Sequence, residues 1–208
     1  MNMLTKVCGM TDGENIRAVE ALGADLIGFI FYRKSPRCCK AVPGYLPSRA
    51  GRVGVFVDES DDGIFMKINE YGLSHIQFHG SESPGKCLKF RNMGLKIIKA
   101  FPISSVEGLD AAAEYSQTCD YFLFDAASPS KGGSGKSFDW HILEHYLGST
   151  PFFLSGGIGP DSLSALRSFS HPALAGYDLN SRFEMRPGIK DTAKIKDFLK
   201  DLSCNEQN

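Results

Sequence analysis

Several groups able to carry protons or grip anions stand directly after short apolar runs. Cys8 closes the first run, Arg37 comes shortly after the second, and His79 follows the fourth. Asp125 closes the sixth, the Gly156-Gly157 pair follows the seventh, and Asp178 lies near the end of the eighth, just before Asn180-Ser181. A thiol, an imidazole and carboxylates can each give or take a proton, and a guanidinium offers a planar fork to a carboxylate. Glycine is concentrated late in this series, as Gly132-Gly133-Ser134-Gly135 and then Ser155-Gly156-Gly157-Ile158-Gly159. Without side chains in the way, glycine N–H groups can approach a phosphate closely, and a following helix N-terminus adds a favourable dipole. The plainer readings are a small core cysteine, an Asp capping a turn, a surface ion-pair arginine and ordinary turn glycines. Asp178 is balanced between binding substrate and only orienting loops, and His79 reads as a loop-ordering residue.

The elements that must position these groups recur with a regular beat. β-rich runs occupy residues 4–8, 25–31, 52–57, 74–78, 95–101, 121–125, 151–155 and 174–179. Most are continuously apolar, as parallel strands buried on both faces are. Helical patterns separate them. Thr11 with Glu14 reads as a capping box before Ile16, Val19 and Leu22, and Ser104 with Glu107 repeats it. Ile64, Phe65, Ile68 and Tyr71 share a helical face ahead of Gly72, and Asp139 precedes Ile142, Leu143, Tyr146 and Leu147 as a cap. Pro160 suits a first helical position, and Ile195, Phe198, Leu199 and Leu202 form the last amphipathic face. The segment after the second run holds Pro36, Pro43 and Pro47 and no helical period, which predicts a short or missing second helix. Eight βα units at roughly 24 residues each favour a single (β/α)₈ TIM barrel over residues 1–208, with a doubly wound open sheet as the rival. A polar tail at about 203–208 is expected to fray.

Composition narrows the function classes. The chain has 208 residues, 23 Lys+Arg against 24 Asp+Glu, and 42% hydrophobic content, which suits an ordinary globular core. A net charge of −1 argues against nucleic acid as a partner. No run approaches the ~18 apolar residues of a membrane span, and Met1–Lys6 offers no export-signal core. The adjacent Cys38-Cys39 and the lack of any Cys-x-x-Cys pair favour reduced thiols, so a cytoplasmic protein is expected.

In order along the chain come the motifs Lys6-Val7-Cys8-Gly9-Met10-Thr11, Ser35-Pro36-Arg37, Arg52-Val53-Gly54-Val55-Phe56 and Ile76-Gln77-Phe78-His79-Gly80. Then come Phe124-Asp125, the block from Gly132 to Trp140, Leu154-Ser155-Gly156-Gly157-Ile158, Gly176-Tyr177-Asp178-Leu179-Asn180-Ser181 and Pro187-Gly188-Ile189-Lys190-Asp191. In this order the motifs resemble those of the phosphoribosylanthranilate isomerase family. The resemblance implies a (β/α)₈ enzyme of tryptophan biosynthesis. Its reaction would be an Amadori rearrangement of a phosphosugar by acid and base, needing no cofactor and no metal. It also implies that Asp125 is the acid, Cys8 the base, and Arg37 the clamp on the anthranilate carboxylate, with Asp178 binding substrate. Gly156, Gly157, Asn180 and Ser181 would hold the phosphate. An acid Asp needs a raised pKa and a basic Cys a lowered one. The family often has Ser-Gly where this chain has Ser181-Arg182. A monomer or a homodimer is expected.

Three rivals are weaker. A related isomerase runs the same rearrangement on a bisphosphate, but carries Asp where Cys8 stands. A silent sugar-phosphate binding module could do without the proton-transfer pair. His141-Ile142-Leu143-Glu144-His145 spells a zinc-protease pattern, on a segment expected outside the barrel.

Overall fold

The computed structural model describes residues 3–126 and 140–203. Eight parallel strands close into a barrel in chain order: β1 Leu4–Val7, β2 Leu26–Ile30, β3 Gly51–Phe56, β4 His75–Phe78, β5 Lys96–Ile103, β6 Tyr121–Ala126, β7 Phe152–Leu154 and β8 Leu174–Leu179. Closure comes where β1 pairs with β8, Lys6 opposite Asp178. All eight expected strands are present, so the open-sheet alternative is set aside.

Strand alternation divides the side chains between two cores. Leu26, Val53, Ile98, Ala100, Leu123 and Phe153 pack inside the barrel. Their neighbours, among them Ile27, Ile76, Ile97, Phe122, Phe124 and Phe152, point outward and meet the helices. Because successive odd or even residues share a face, Cys8 and Asp125 continue the inward rows above these layers.

Helices α1 Gly13–Ala21, α2 Asp61–Tyr71, α3 Pro84–Arg91, α4 Asp110–Ala113, α5 Leu163–Ser168 and α6 Thr192–Ser203 cover the outside. Several ends differ from expectation. Asp12, not Thr11, caps α1 through Asn15 N at 2.8 Å, and Thr11 Oγ1 instead donates to Gly188 O. The Ser104–Glu107 pattern yields only a 3₁₀ turn, Val106–Leu109, followed by the single turn of α4. Trp140–His145 is likewise 3₁₀, and Asp139 lies outside the described residues. Helix α3 was not anticipated, although Ser83 caps it and Pro84 opens it. Gly72 at φ 58 ends α2 as expected, and Ile195 and Phe198 bury the inner face of α6. That helix runs on through Ser203, and residues 204–208 fall outside the description.

No helix connects β2 to β3. Side chains hold the segment down instead. Glu20 of α1 accepts from Arg49 N and Ala50 N at 2.7 and 2.8 Å, and from the Tyr45 hydroxyl. Tyr71 OH of α2 donates to Ala41 O at 3.0 Å. The loop's backbone groups thus find partners that a helix would have supplied. Among the described residues no helix is long and apolar enough to cross a membrane.

Candidate active site

A cavity of about 180 Å³ opens at the carboxyl ends of the strands. Its lining includes Cys8, Gln77, His79, Asp125, Ser155, Gly156, Gly157, Asp178, Asn180, Ser181 and Arg182. Seven of the eight expected site residues therefore meet in one place. Arg37 is the exception, standing beside it. The Gly132–Gly135 block lies outside the described residues.

Cys8 sits two residues beyond Lys6, on the same inward face of the chain. Gly28 on β2 makes room for its thiol, since a Cβ there would lie 2.7 Å from Cys8 Sγ. Cys8 is 3% exposed. Burial pushes its thiol above the ordinary range, with Asp178 adding to the rise and Lys6 and Lys190 opposing it. The lowered pKa expected of a basic cysteine is therefore not found; burial outweighs the two cations.

Lys6 is wholly buried and donates to Asp178 Oδ1 at 2.7 Å. Burial alone would lower the pKa of the ammonium, but Asp178 and Cys8 outweigh it and the net shift is upward. Ser155 Oγ approaches Asp178 Oδ2 at 3.5 Å. One carboxylate is thus held from β1 and from the residue just after β7, facing the cavity.

Arg37 engages a carboxylate of the protein itself. Its Nε lies 2.8 and 3.0 Å from the two oxygens of Glu184, and its Nη2 lies 2.6 Å from Oε2. Glu184 begins a short hairpin, β9 Glu184–Arg186 and β10 Ile189–Lys190. Lys190 of that hairpin donates to Glu184 Oε1 at 2.9 Å and to Asn180 Oδ1 at 2.8 Å. Burial would raise the Glu184 pKa, but Arg37 and Lys190 outweigh it and hold the carboxyl below its usual value. Burial lowers the pKa of Lys190 despite that carboxylate.

On the opposite wall Gln77 Nε2 lies 3.0 Å from His79 Nδ1, and His79 Nε2 lies 3.7 Å from Asp125 Oδ2. The His79 side chain is 37% exposed because it faces the cavity, yet protein crowds it elsewhere. That crowding lowers its pKa, with Asp125 opposing. His79 is therefore part of the site rather than a loop residue alone.

Beyond β7, Gly156 and Gly157 take φ of 82 and 79, a left-handed region that other residues enter at a cost. Among the described residues, a Cβ on Gly157 would meet nothing within 4 Å, so its backbone is open to the cavity. The 3₁₀ turn Pro160–Ser162 leads into α5, and Arg182 Nη2 binds the Asp161 carboxylate, joining the loops after β7 and β8.

Sequence reasoning gave no role to Lys6, Gln77, Glu184 or Lys190. The signal for Lys6 was present: a charged residue at the same strand face as Cys8, amid apolar neighbours. Glu184 and Lys190 sit in a polar hairpin whose place under Arg37 only the tertiary fold reveals. The zinc pattern does not form. His141 Nδ1 pairs with Glu144 Oε1 at 2.6 Å, and a 3₁₀ segment does not bring i and i+4 onto one face. Among the described residues no group of three or more potential ligands is placed to hold a metal ion.

Comparison with known proteins agrees with this geometry. The family described as N-(5'phosphoribosyl)anthranilate (PRA) isomerase matches residues 5–201. The chain is 51% identical over 200 residues to the N-(5'-phosphoribosyl)anthranilate isomerase of Phocaeicola vulgatus, covering 96% of this chain and 98% of that one. It is 45% identical to that of Parabacteroides distasonis, covering 96% and 93%. The solved phosphoribosyl anthranilate isomerase of Thermotoga maritima superposes with a TM-score of 0.82 at 32% identity, over 97% and 98% of the two chains. The chain belongs to the phosphoribosylanthranilate isomerase family.

Proposed function

We propose that the protein converts N-(5-phosphoribosyl)anthranilate to 1-(2-carboxyphenylamino)-1-deoxyribulose 5-phosphate, with Asp125 as general acid and Cys8 as general base. The observation that carries the assignment is that a carboxyl on β6 and a thiol just after β1 line one cavity in a member of this family. A solved relative, 29% identical with a TM-score of 0.79, holds the reduced form of this product.

Asp125 gives a proton to the furanose ring oxygen, the C1–O bond breaks, and the anilino nitrogen forms a C=N bond to C1. Cys8 then takes the C2 proton, leaving an enol that tautomerises to the C2 ketone as C1 gains a proton. Each proton-transfer group is typically worth ~10²–10⁴-fold in rate. The Cys8 thiolate is favoured by Lys6 and Lys190 against burial, so both lysines serve the base.

Backbone donors at Gly156 and Gly157, with Asn180 and Ser181, hold the phosphate. The Lys6-anchored Asp178 meets the sugar through its remaining acceptor capacity. Of the five guanidinium donors of Arg37, Glu184 engages the Nε/Nη2 side. The Nη1/Nη2 side is assigned to the anthranilate carboxylate. The enzyme works in the cytoplasm as a monomer or homodimer; one solved relative is a monomer generated from the dimeric enzyme of Thermotoga maritima.

The test is direct. Purified protein mixed with N-(5-phosphoribosyl)anthranilate should extinguish substrate fluorescence without added metal or cofactor. Folded protein giving no turnover would overturn the assignment.

A further inference from the structure

We propose that Gln77 and His79 are positioning residues for Asp125, with Gln77 fixing the imidazole proton on Nε2, the nitrogen that faces the carboxylate. The inference rests on the acid role given to Asp125 above, and it assigns the acid a partner of its own.

Gln77 is 1% exposed and stands two residues before His79, so both side chains rise on the same face of the β4 row. Its Nε2 lies 3.0 Å from His79 Nδ1. An amide nitrogen only donates, so Nδ1 accepts and the proton of a neutral imidazole must sit on Nε2. That nitrogen is 3.7 Å from Asp125 Oδ2. Such a gap is too long for a hydrogen bond, but catalytic contacts commonly tighten once substrate is bound.

The orientation of Gln77 has a cost. Its Oε1 is buried and has no hydrogen-bond partner among the described residues. Reversing the amide would put Oε1 against Nδ1 and require a proton there. A bare Nε2 lone pair would then face the carboxylate that Asp125 becomes on giving up its proton.

With the proton on Nε2, an N–H dipole points at the oxygen where negative charge develops, as electrostatic preorganisation requires. Asp125 and Asp178 bear on His79 as anions, and Lys6 and Lys99 as cations. Burial with the two lysines lowers the pKa of the ring against the two carboxylates, which favours a directed N–H over a second acid.

Imidazole NMR and the kinetics of three variants test this. Nitrogen NMR of the imidazole in the full-length protein, without substrate, should show His79 Nδ1 unprotonated and Nε2 protonated. Gln77→Glu, which accepts from Nδ1–H, should move the proton to Nδ1 and lower kcat by ~10-fold or more while leaving KM within ~2-fold. His79→Gln places an amide N–H near the Nε2 position and His79→Asn near Nδ1. At this half-open position both should fold, and His79→Gln should keep kcat within ~3-fold while His79→Asn loses ~10-fold or more. The pH profile of kcat should shift on its Asp125 limb in His79→Asn and not in His79→Gln. A wild-type spectrum with Nδ1–H, or equal kcat for the Asn and Gln variants, overturns the proposal. Wild-type protein without turnover would instead remove the acid role on which it rests, whatever the tautomer.

Discussion

Lys6 and Asp178 are register partners across the seam where β1 meets β8, and their side chains join at 2.7 Å with the lysine wholly buried. The same contact closes the barrel and places a cation beside Cys8. Removing one member of a buried pair leaves the other charged and unsatisfied, at a cost of ~3–5 kcal/mol. Asp178→Asn is therefore expected to lose about 3 kcal/mol in urea unfolding at pH 7. Because the folded Lys6 pKa is raised, the pair's contribution is fully present below the unfolded lysine pKa and fades only as pH rises through the folded one. Stability unchanged within about 1 kcal/mol would show the pair to be incidental.

Lys6 also opposes the effect of burial on the Cys8 thiol. In Lys6→Met the cation that opposes burial is gone and Asp178 is left as an uncompensated anion, so the Cys8 pKa rises further. Alkylation of Cys8 by iodoacetamide, followed by mass spectrometry of its peptide, should slow by ~10-fold or more at pH 8, since only thiolate reacts. Equal rates in both proteins would mean that Lys6 does not tune the base. Cys39 serves as an internal control, because burial and the neighbouring Cys38 push its thiol up to about 12.

The helix-free connection from β2 to β3 depends on Glu20. Burial would raise its pKa, but the Tyr45 hydroxyl and the N–H groups of Ala50, Arg49 and Ser48 outweigh it and hold the carboxyl at about 2, against 4.5 when unperturbed. A depressed carboxyl stabilises the fold above its unfolded pKa, and that contribution is lost as pH falls from about 4.5 toward 2. Glu20→Gln should cost on the order of 2 kcal/mol at pH 7, and the difference should vanish near pH 2. A pH-independent difference would point to lost packing rather than charge.

Arg37 separates ligand binding from internal pairing. If its second edge clamps the anthranilate carboxylate, Arg37→Lys keeps the charge and loses the fork. A loss of ~1.5–3 kcal/mol follows, or roughly 10- to 150-fold in kcat/KM. A product analogue without the aromatic carboxylate should bind wild type and Arg37→Lys about equally. If the substitution weakens both ligands alike, Arg37 acts through Glu184 and the hairpin.

The barrel was legible because its signals are local and repeated. Continuous apolar runs mark parallel strands, and the prolines between Phe31 and Arg52 removed one helix in advance. Helix caps were read less well, since Thr11 and Asp12 are both capping residue types, and in the fold Asp12 caps Asn15 N while Thr11 donates to Gly188 O. Motif residues such as Cys8, Asp125 and Asp178 were legible by their places at strand ends. What they touch was not. Glu184 reaches Arg37 across a sequence separation of 147 residues, and the burial that raises the Cys8 pKa comes from packing that no local pattern encodes.

If Cys8 and Asp125 are the proton-transfer pair of the rearrangement, turnover depends on both. Loss of substrate fluorescence should be followed at saturating N-(5-phosphoribosyl)anthranilate for wild type, Cys8→Ser and Asp125→Asn. Circular dichroism and product-analogue binding would confirm that each variant is folded. Wild type is expected to turn over without added cofactor, and each variant to lose at least ~10²-fold in kcat. A folded variant that keeps near wild-type kcat would contradict the role given to its residue.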